Sequence, residues 1–187
     1  MKKYELTDDS ITFMGRKLFR IRAIRSFNDV AVGDLGGYIE KEENLSHDND
    51  AWISDNARIS GNARISDKAH IYDHADISGD ACIYGNAHIS GNACIFGNTC
   101  SYDNISISDN AHISDDADYL YLKGLGSENR NTIFFKCKDG HIHVSCGCFS
   151  GTIQEFENKV KKTHGDNKYA KEYLACIEVV KIHFEEE

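Results

Sequence analysis

The sequence predicts a mainly β protein built as a parallel β-helix of about four to five triangular coils, and three observations predict it. Alanine stands at positions 51, 57, 63, 69, 75, 81, 87, 93, 111 and 117, and isoleucine at 53, 59, 65, 71, 77, 83, 89, 95, 107 and 113, a six-residue beat from Ala51 to Asp118. A polar pair, most often Gly-Asn or Asp-Asn, separates each Ile from the next Ala. The third observation is that the 187 residues include no proline. A six-residue period is too short for a helix pair, a propeller blade or a leucine-rich repeat. A ladder in which nearly every amide donates to the next coil tolerates no proline.

One hexad reads as a short strand and a corner. Alternate side chains of a strand share a face, so Ala and Ile point inward while their neighbours point outward. The following Gly/Asp and Asn/Asp pair tolerates the left-handed backbone that a tight bend demands. Three sides make a coil of 18 residues, twelve hexads from 49 to 120 make four coils, and the regular body is on the order of 19 Å long at about 4.8 Å per coil. Residues 33–50 read as a degenerate opening coil in which Ile39 and Leu45 take alanine places. In the hexad from Thr99 to Asn104, Ser101 replaces the inward Ile and Ile105 the next inward Ala, a swap that conserves core volume.

These residues resemble the hexapeptide-repeat, left-handed β-helix superfamily, in which an aliphatic residue is followed four positions later by a small one. Ile53 and Ala57, Ile59 and Ala63, and Ile65 and Ala69 match that pattern. The left hand is what the resemblance implies; crossover rules alone favour the right hand. More narrowly, the run from Gly33 to Glu40, Asn44-Leu45-Ser46 and the segment from Ser145 to Phe149 look like uncharacterised repeat proteins of bacteriophages and prophages. Homotrimer packing along the helix axis is the use of exposed faces that the superfamily resemblance implies.

Two flanking regions complete the reading. Residues 1–32 form an N-terminal β-hairpin cap: Ile11 and Phe13, a Gly15-Arg16 turn, then Phe19, Ile21 and Ala23 alternating with Arg20 and Arg22. The repeat body spans 33–120, and 121–187 form a small α+β (ββαα) cap or docking domain. Strands 131–137 and 141–146 flank Asp139-Gly140, a strong hairpin dipeptide, with Ile133, Phe135, Cys137, Ile142, Val144 and Cys146 on one face and His141 and His143 on the other. Thr152 and Glu155 form a capping box for a helix to about His164, closed by Gly165; a second helix from about Asn167 carries Leu174, Ile177, Val180 and Phe184 on one side.

Charge differs sharply by segment. Residues 1–30 carry seven Lys/Arg and four Asp/Glu (+3), residues 31–118 carry four against sixteen (−12), and residues 119–187 carry ten of each. An acidic body repels nucleic acid and anionic membrane and attracts basic protein surfaces. The plainer account is that Asp suits corners and keeps the solenoid soluble. No window is apolar or long enough for a membrane helix or signal peptide, which places the chain in the cytoplasm. Seven cysteines without a Cys-x-x-Cys pair suggest reduced thiols rather than a disulfide framework.

Candidate chemistry lies in the outward columns. The first carries Trp52, His70, His88 and Ser106 with Tyr72 alongside; the second carries Arg58, Asp76, Cys94 and His112; the third carries Arg64, Cys82, Cys100 and Asp118, flanked by Tyr84 and Tyr102. Trp52, His70, Tyr72, His88, Tyr84 and Tyr102 are the expected binding or interface residues. By resemblance to the superfamily's acyltransferases, His70 or His88 is the candidate general base for acyl transfer from an acyl-coenzyme A, although no loop is inserted in the coils and no third group orients either ring. By resemblance to its carbonic anhydrase, His70, His74 and His88 are candidate metal ligands, without that family's spacing. Cys82 and Cys100 are one coil apart. Cys146 and Cys148 precede a helix N-terminus that His164 ends, a thiol and imidazole without a supporting motif.

The function expected is non-enzymatic recognition by a phage- or mobile-element-encoded scaffold. It would bind a basic host-protein surface, by mimicry of nucleic-acid charge, and so act as an inhibitor of host defence. The expectation includes a homotrimer, no cofactor, no direct nucleic-acid contact and no membrane partner. A hexapeptide-repeat acyltransferase and a trimeric sponge that holds a nucleotide or other small ligand between subunits are the alternatives.

Overall fold

A computed structural model describes residues 1–101 and 104–184. The chain divides into two compact units, the first ending at Asn110 and the second beginning at Ala111. The first is a parallel β-solenoid, part of a run of about four turns, preceded by a β-hairpin.

Two-residue strands recur every six residues from Trp52–Ile53 through Ser106–Ile107 and stack at a spacing of 18 into three parallel sheets. Trp52, His70, His88 and Ser106 lie in register on one sheet, Arg58, Asp76 and Cys94 on the second, Arg64, Cys82 and Cys100 on the third. Amides of one coil donate to carbonyls of the next, as from Trp52 to Ala69 (2.9 Å) and from His70 to Ala87 (2.8 Å). The inward Ala and Ile from Ala51 to Ile95 are at most 1% exposed. Methyl and sec-butyl groups thus alternate along the interior as the beat requires.

Among the described residues, the corners from Asp55 to Asp109 each turn on one left-handed residue. Asp55, Asp67, Asp73 and Asp109 have φ of 55–60°, and Gly61, Gly79, Gly85, Gly91 and Gly97 have φ of 65–76°. The corner acids also complete the ladder: the carboxylate of Asp73 accepts the Gly91 amide (3.0 Å), Asp67 accepts that of Gly85 (3.2 Å), and Asp55 that of Asp73 (3.3 Å). Beside them run side-chain ladders from Asn62 to Asp80 (3.0 Å), Asn86 to Asn104 (2.9 Å) and Asn92 to Asn110 (3.3 Å). Asp and Asn are chosen here because they accept bonds and tolerate the left-handed region.

The opening coil differs from its expected frame. Ile39 pairs with Ile59 and Leu45 with Ile65, a spacing of 20, so both stand in isoleucine places and not alanine ones. Gly37 stands opposite Ala57, where an added Cβ would lie 2.6 Å from the Ala57 carbonyl oxygen. The two extra residues fall between Leu45 and Ala51, because Trp52 is again 18 from His70. Large side chains meet large ones, and that requirement overrides the six-residue count.

Tyr4–Phe13 and Arg16–Ala23 form the expected hairpin, turning at Met14 and Gly15 (φ 48° and 76°), one residue earlier than Gly15-Arg16. Its second strand pairs antiparallel with Leu35–Ile39. Tyr4 donates its hydroxyl to the carbonyls of Glu42 (2.7 Å) and Leu45 (2.8 Å). Lys3 is buried, its ammonium donating to the carbonyls of Asn49 (3.2 Å) and Ala51 (2.8 Å).

The second unit carries four antiparallel strands, Tyr119–Leu125, Arg130–Lys136, Ile142–Cys146 and Phe149–Thr152, where the ββαα reading has two. Two helices follow: α1, Ile153–His164, capped by Thr152 and Glu155, and α2, Lys168–His183, capped by Asn167. The strand register also corrects the expected face. Phe134 pairs with Val144 and Phe135 with His143, so Phe134, Ile142, Val144 and Cys146 pack with Phe156, Val160, Tyr173, Ile177 and Val180. Ile133, Phe135, Cys137 and His143 take the opposite face, because the turn offsets the two strands by one residue.

Candidate functional site

Trp52, His70 and His88 are brought together in one column, as the beat dictates. Trp52, expected outside, is 6% exposed and lies edge-on to Phe27 (5.4 Å between ring centroids) and Tyr4 (6.5 Å). It packs the hairpin connection onto the solenoid. Beyond it, the imidazoles of His70 and His88 stack with centroids 5.7 Å apart and planes within 23°. They line a cleft of about 360 Å3 with Asn28, Asp29, Asp50, Lys68 and Asn86. Burial, and then the neighbouring His88, lower the pKa of His70, with Asp29 and Asp50 opposing. At neutral pH His70 is therefore a neutral ring in a polar, mixed-charge cleft.

Tyr72 and Tyr84 are half-buried, His74 is exposed at a corner, and Tyr102 lies outside the described residues. Among the described residues, His70, His74 and His88 do not form a set of three converging ligands. Cys82 and Cys100 stand in register on adjacent coils as thiols. On the second sheet Asp76 is 8% exposed and, among the described residues, its Oδ1 has no hydrogen-bond partner. Burial raises its pKa while Arg58, its neighbour in register, pulls it down.

The second unit holds two further constellations. Cys146, Cys148 and His164 border one cleft of about 320 Å3, shared with Arg130, Lys159, Phe149, Phe156 and Tyr173. Cys146 is a packed thiol that accepts from the Thr132 hydroxyl (3.1 Å), and Tyr173 lies beside both groups, its hydroxyl 3.9 Å from the Cys146 Sγ and its ring stacked on His164 (5.9 Å). The other constellation is Cys137, His141 and His143, each offering a ligand atom within 4.8 Å of the others. Reading Cys137 and the two histidines onto opposite faces hid this group. The signal that reveals it is the spacing Cys-x-x-x-His-x-His around the Asp139-Gly140 turn, once that turn is counted into the register.

Among the described residues no helix is long and apolar enough to cross a membrane. No known family model matches the chain, and no curated protein matches it.

Proposed function

We propose that the protein is a recognition scaffold whose His70–His88 face binds a basic protein surface. The observation that supports this most directly is where the corner acids lie. One corner bordering that face carries Asp55, Asp73 and Asp109 and the other Asp48, Asp50 and Asp67 with Lys68, whereas the third stacks Gly61, Gly79 and Gly97 with Glu40 and Asp80 beside them. Carboxylates on both sides of a strip concentrate negative potential over it and steer a cationic partner.

The finer parts of the reading rest on the resemblance to hexapeptide-repeat and phage proteins. They are a left-handed solenoid, a hairpin and a C-terminal unit that act as caps, a homotrimer, and a phage-encoded inhibitor that occupies a host surface otherwise meeting nucleic acid. A nucleotide sponge is less well supported, because Lys68 is accompanied in the cleft by Asp29 and Asp50.

The test uses an arginine-rich peptide as the probe. Asn substitution at Asp55, Asp73 and Asp109 keeps an acceptor for the next coil while removing three charges. Peptide affinity and its salt dependence should both fall, whereas Asp80→Asn at the third corner should leave them near the native values. Equal effects from the two variants, or none from either, would refute the assignment of this face. Sedimentation equilibrium of the same samples reads the oligomer.

A further inference from the structure

We propose that Cys137, His141 and His143 form a binding site for one zinc ion, a site independent of the recognition face. The hairpin turn builds it. The Gly140 amide donates to the Cys137 carbonyl and the Cys137 amide to the His141 carbonyl, both at 2.9 Å, which brings residues 137 and 141 side by side. Gly140, at φ 89° with open space where a Cβ would stand, makes the reversal. His143 follows His141 by two residues, the spacing that returns a side chain to the same face of a strand.

The donor set selects the metal. One thiol and two imidazoles suit zinc and its cobalt substitute, whereas magnesium and calcium take oxygen ligands. In tetrahedral zinc with these donors, ligand atoms stand about 3.3–3.6 Å apart, so a set already within 4.8 Å closes by side-chain rotation of about 1 Å.

The outer shell matches as well. Asp139 Oδ1 lies 2.5 Å from His141 Nδ1, and the Ser150 hydroxyl 2.8 Å from His143 Nε2. Each partner holds one ring nitrogen and so orients the other, as outer-shell groups do for metal-ligating imidazoles. Phe135 stacks on His143 at 5.1 Å and restrains that ring from its face. Cys137 and His143 are buried while His141 is half-buried, which leaves a side for the ion to enter. Three protein ligands leave the fourth position to water.

The experiment uses the full chain, reduced and chelator-treated, titrated with cobalt(II) and then with zinc. One equivalent of cobalt should bind with tetrahedral d–d absorption and a thiolate-to-cobalt charge-transfer band, and zinc should displace it. Cys137→Ser should abolish the charge-transfer band. His141→Ala, at an accessible turn and so compatible with folding, should weaken zinc roughly 100-fold or more, and Asp139→Asn roughly 10- to 100-fold. His70→Ala should have no effect. The proposal is overturned if the native protein shows no charge-transfer band, if His141→Ala binds zinc as tightly as native, or if His70→Ala abolishes binding.

Discussion

Asp73 tests how the corners hold the solenoid. It stands at φ 60°, and its Oδ2 accepts the Gly91 amide of the next coil at 3.0 Å. Three substitutions separate the two contributions. Asn keeps both the left-handed tolerance and an acceptor, and a neutral acceptor in place of a charged one costs about 0.5 kcal/mol. Gly keeps the conformation and loses the bond, for about 1 kcal/mol at this exposed site. Ala loses the bond and pays a further cost of about 1 kcal/mol for the left-handed region, for a total near 2 kcal/mol. At a chain length of 187 residues the Asp73→Ala midpoint should fall by about 4–8 °C. Trp52, the sole tryptophan, is buried in the same unit, so its fluorescence during thermal and urea unfolding reads the solenoid. Equal midpoints for Asp73→Ala and Asp73→Asn would refute the argument that corner acids act through an acceptor and a left-handed backbone.

Ile71 is fully buried between Ile53 and Ile89 in register, so Ile71→Ala should cost about 3 kcal/mol and Ile71→Val about 1 kcal/mol by urea denaturation. Asp76 carries a raised pKa through burial, so its ionisation removes stability as pH rises through the folded value; Asp76→Asn should raise the midpoint at pH 7 and lose that advantage in acid. Burial pushes the Lys3 ammonium down to about 8 from an ordinary 10.5, so the unfolded chain binds the extra proton in that window and stability gains a rising contribution from pH 8 to 10.5. Burial also raises the Tyr4 hydroxyl, whose contribution is instead lost above pH 10. Difference curves for Lys3→Met and Tyr4→Phe against native protein should show these opposite slopes.

How much of this was legible followed from which residues carry their own constraint. The Ala and Ile columns did, because an interior of 18-residue coils admits one large and one small side chain per side. The capping box of Thr152 and Glu155 and the start of α2 near Asn167 were readable for the same local reason. The opening coil was not: a count of six cannot show that two residues are added between Leu45 and Ala51, since only the pairing of Ile39 with Ile59 reveals them. Nor was the Cys137 group, whose face depends on a turn that shifts the register by one. The strand at Tyr119–Leu125 was lost because its Tyr-Leu-Tyr-Leu alternation directly follows the last hexad and merges with the repeat.

The corner ladder also bears on why the body is acidic. Neutral and acidic residues both serve at the corners: Asn92 donates to Asn110 and Asn86 to Asn104, while the Gly61 amide, like those of Gly85 and Gly91, donates to a carboxylate, here that of Glu40 (2.6 Å). The left-handed positions therefore need an acceptor or a glycine, and the charge on the acceptor is a smaller contribution. Asp in place of Asn at 55, 67, 73 and 109 gains stability only by the difference between a charged and a neutral acceptor, about 0.5 kcal/mol each, and these acids sit on the two corners bordering His70 and His88. The third corner carries acids as well, Glu40 and Asp80, beside its three stacked glycines. Under the proposed recognition role, the placement of acids beside His70 and His88 matters more than the total charge. It also explains why replacing Asp by Asn at the flanking corners is the informative change: the ladder keeps its acceptors, so any effect on binding reports the charge.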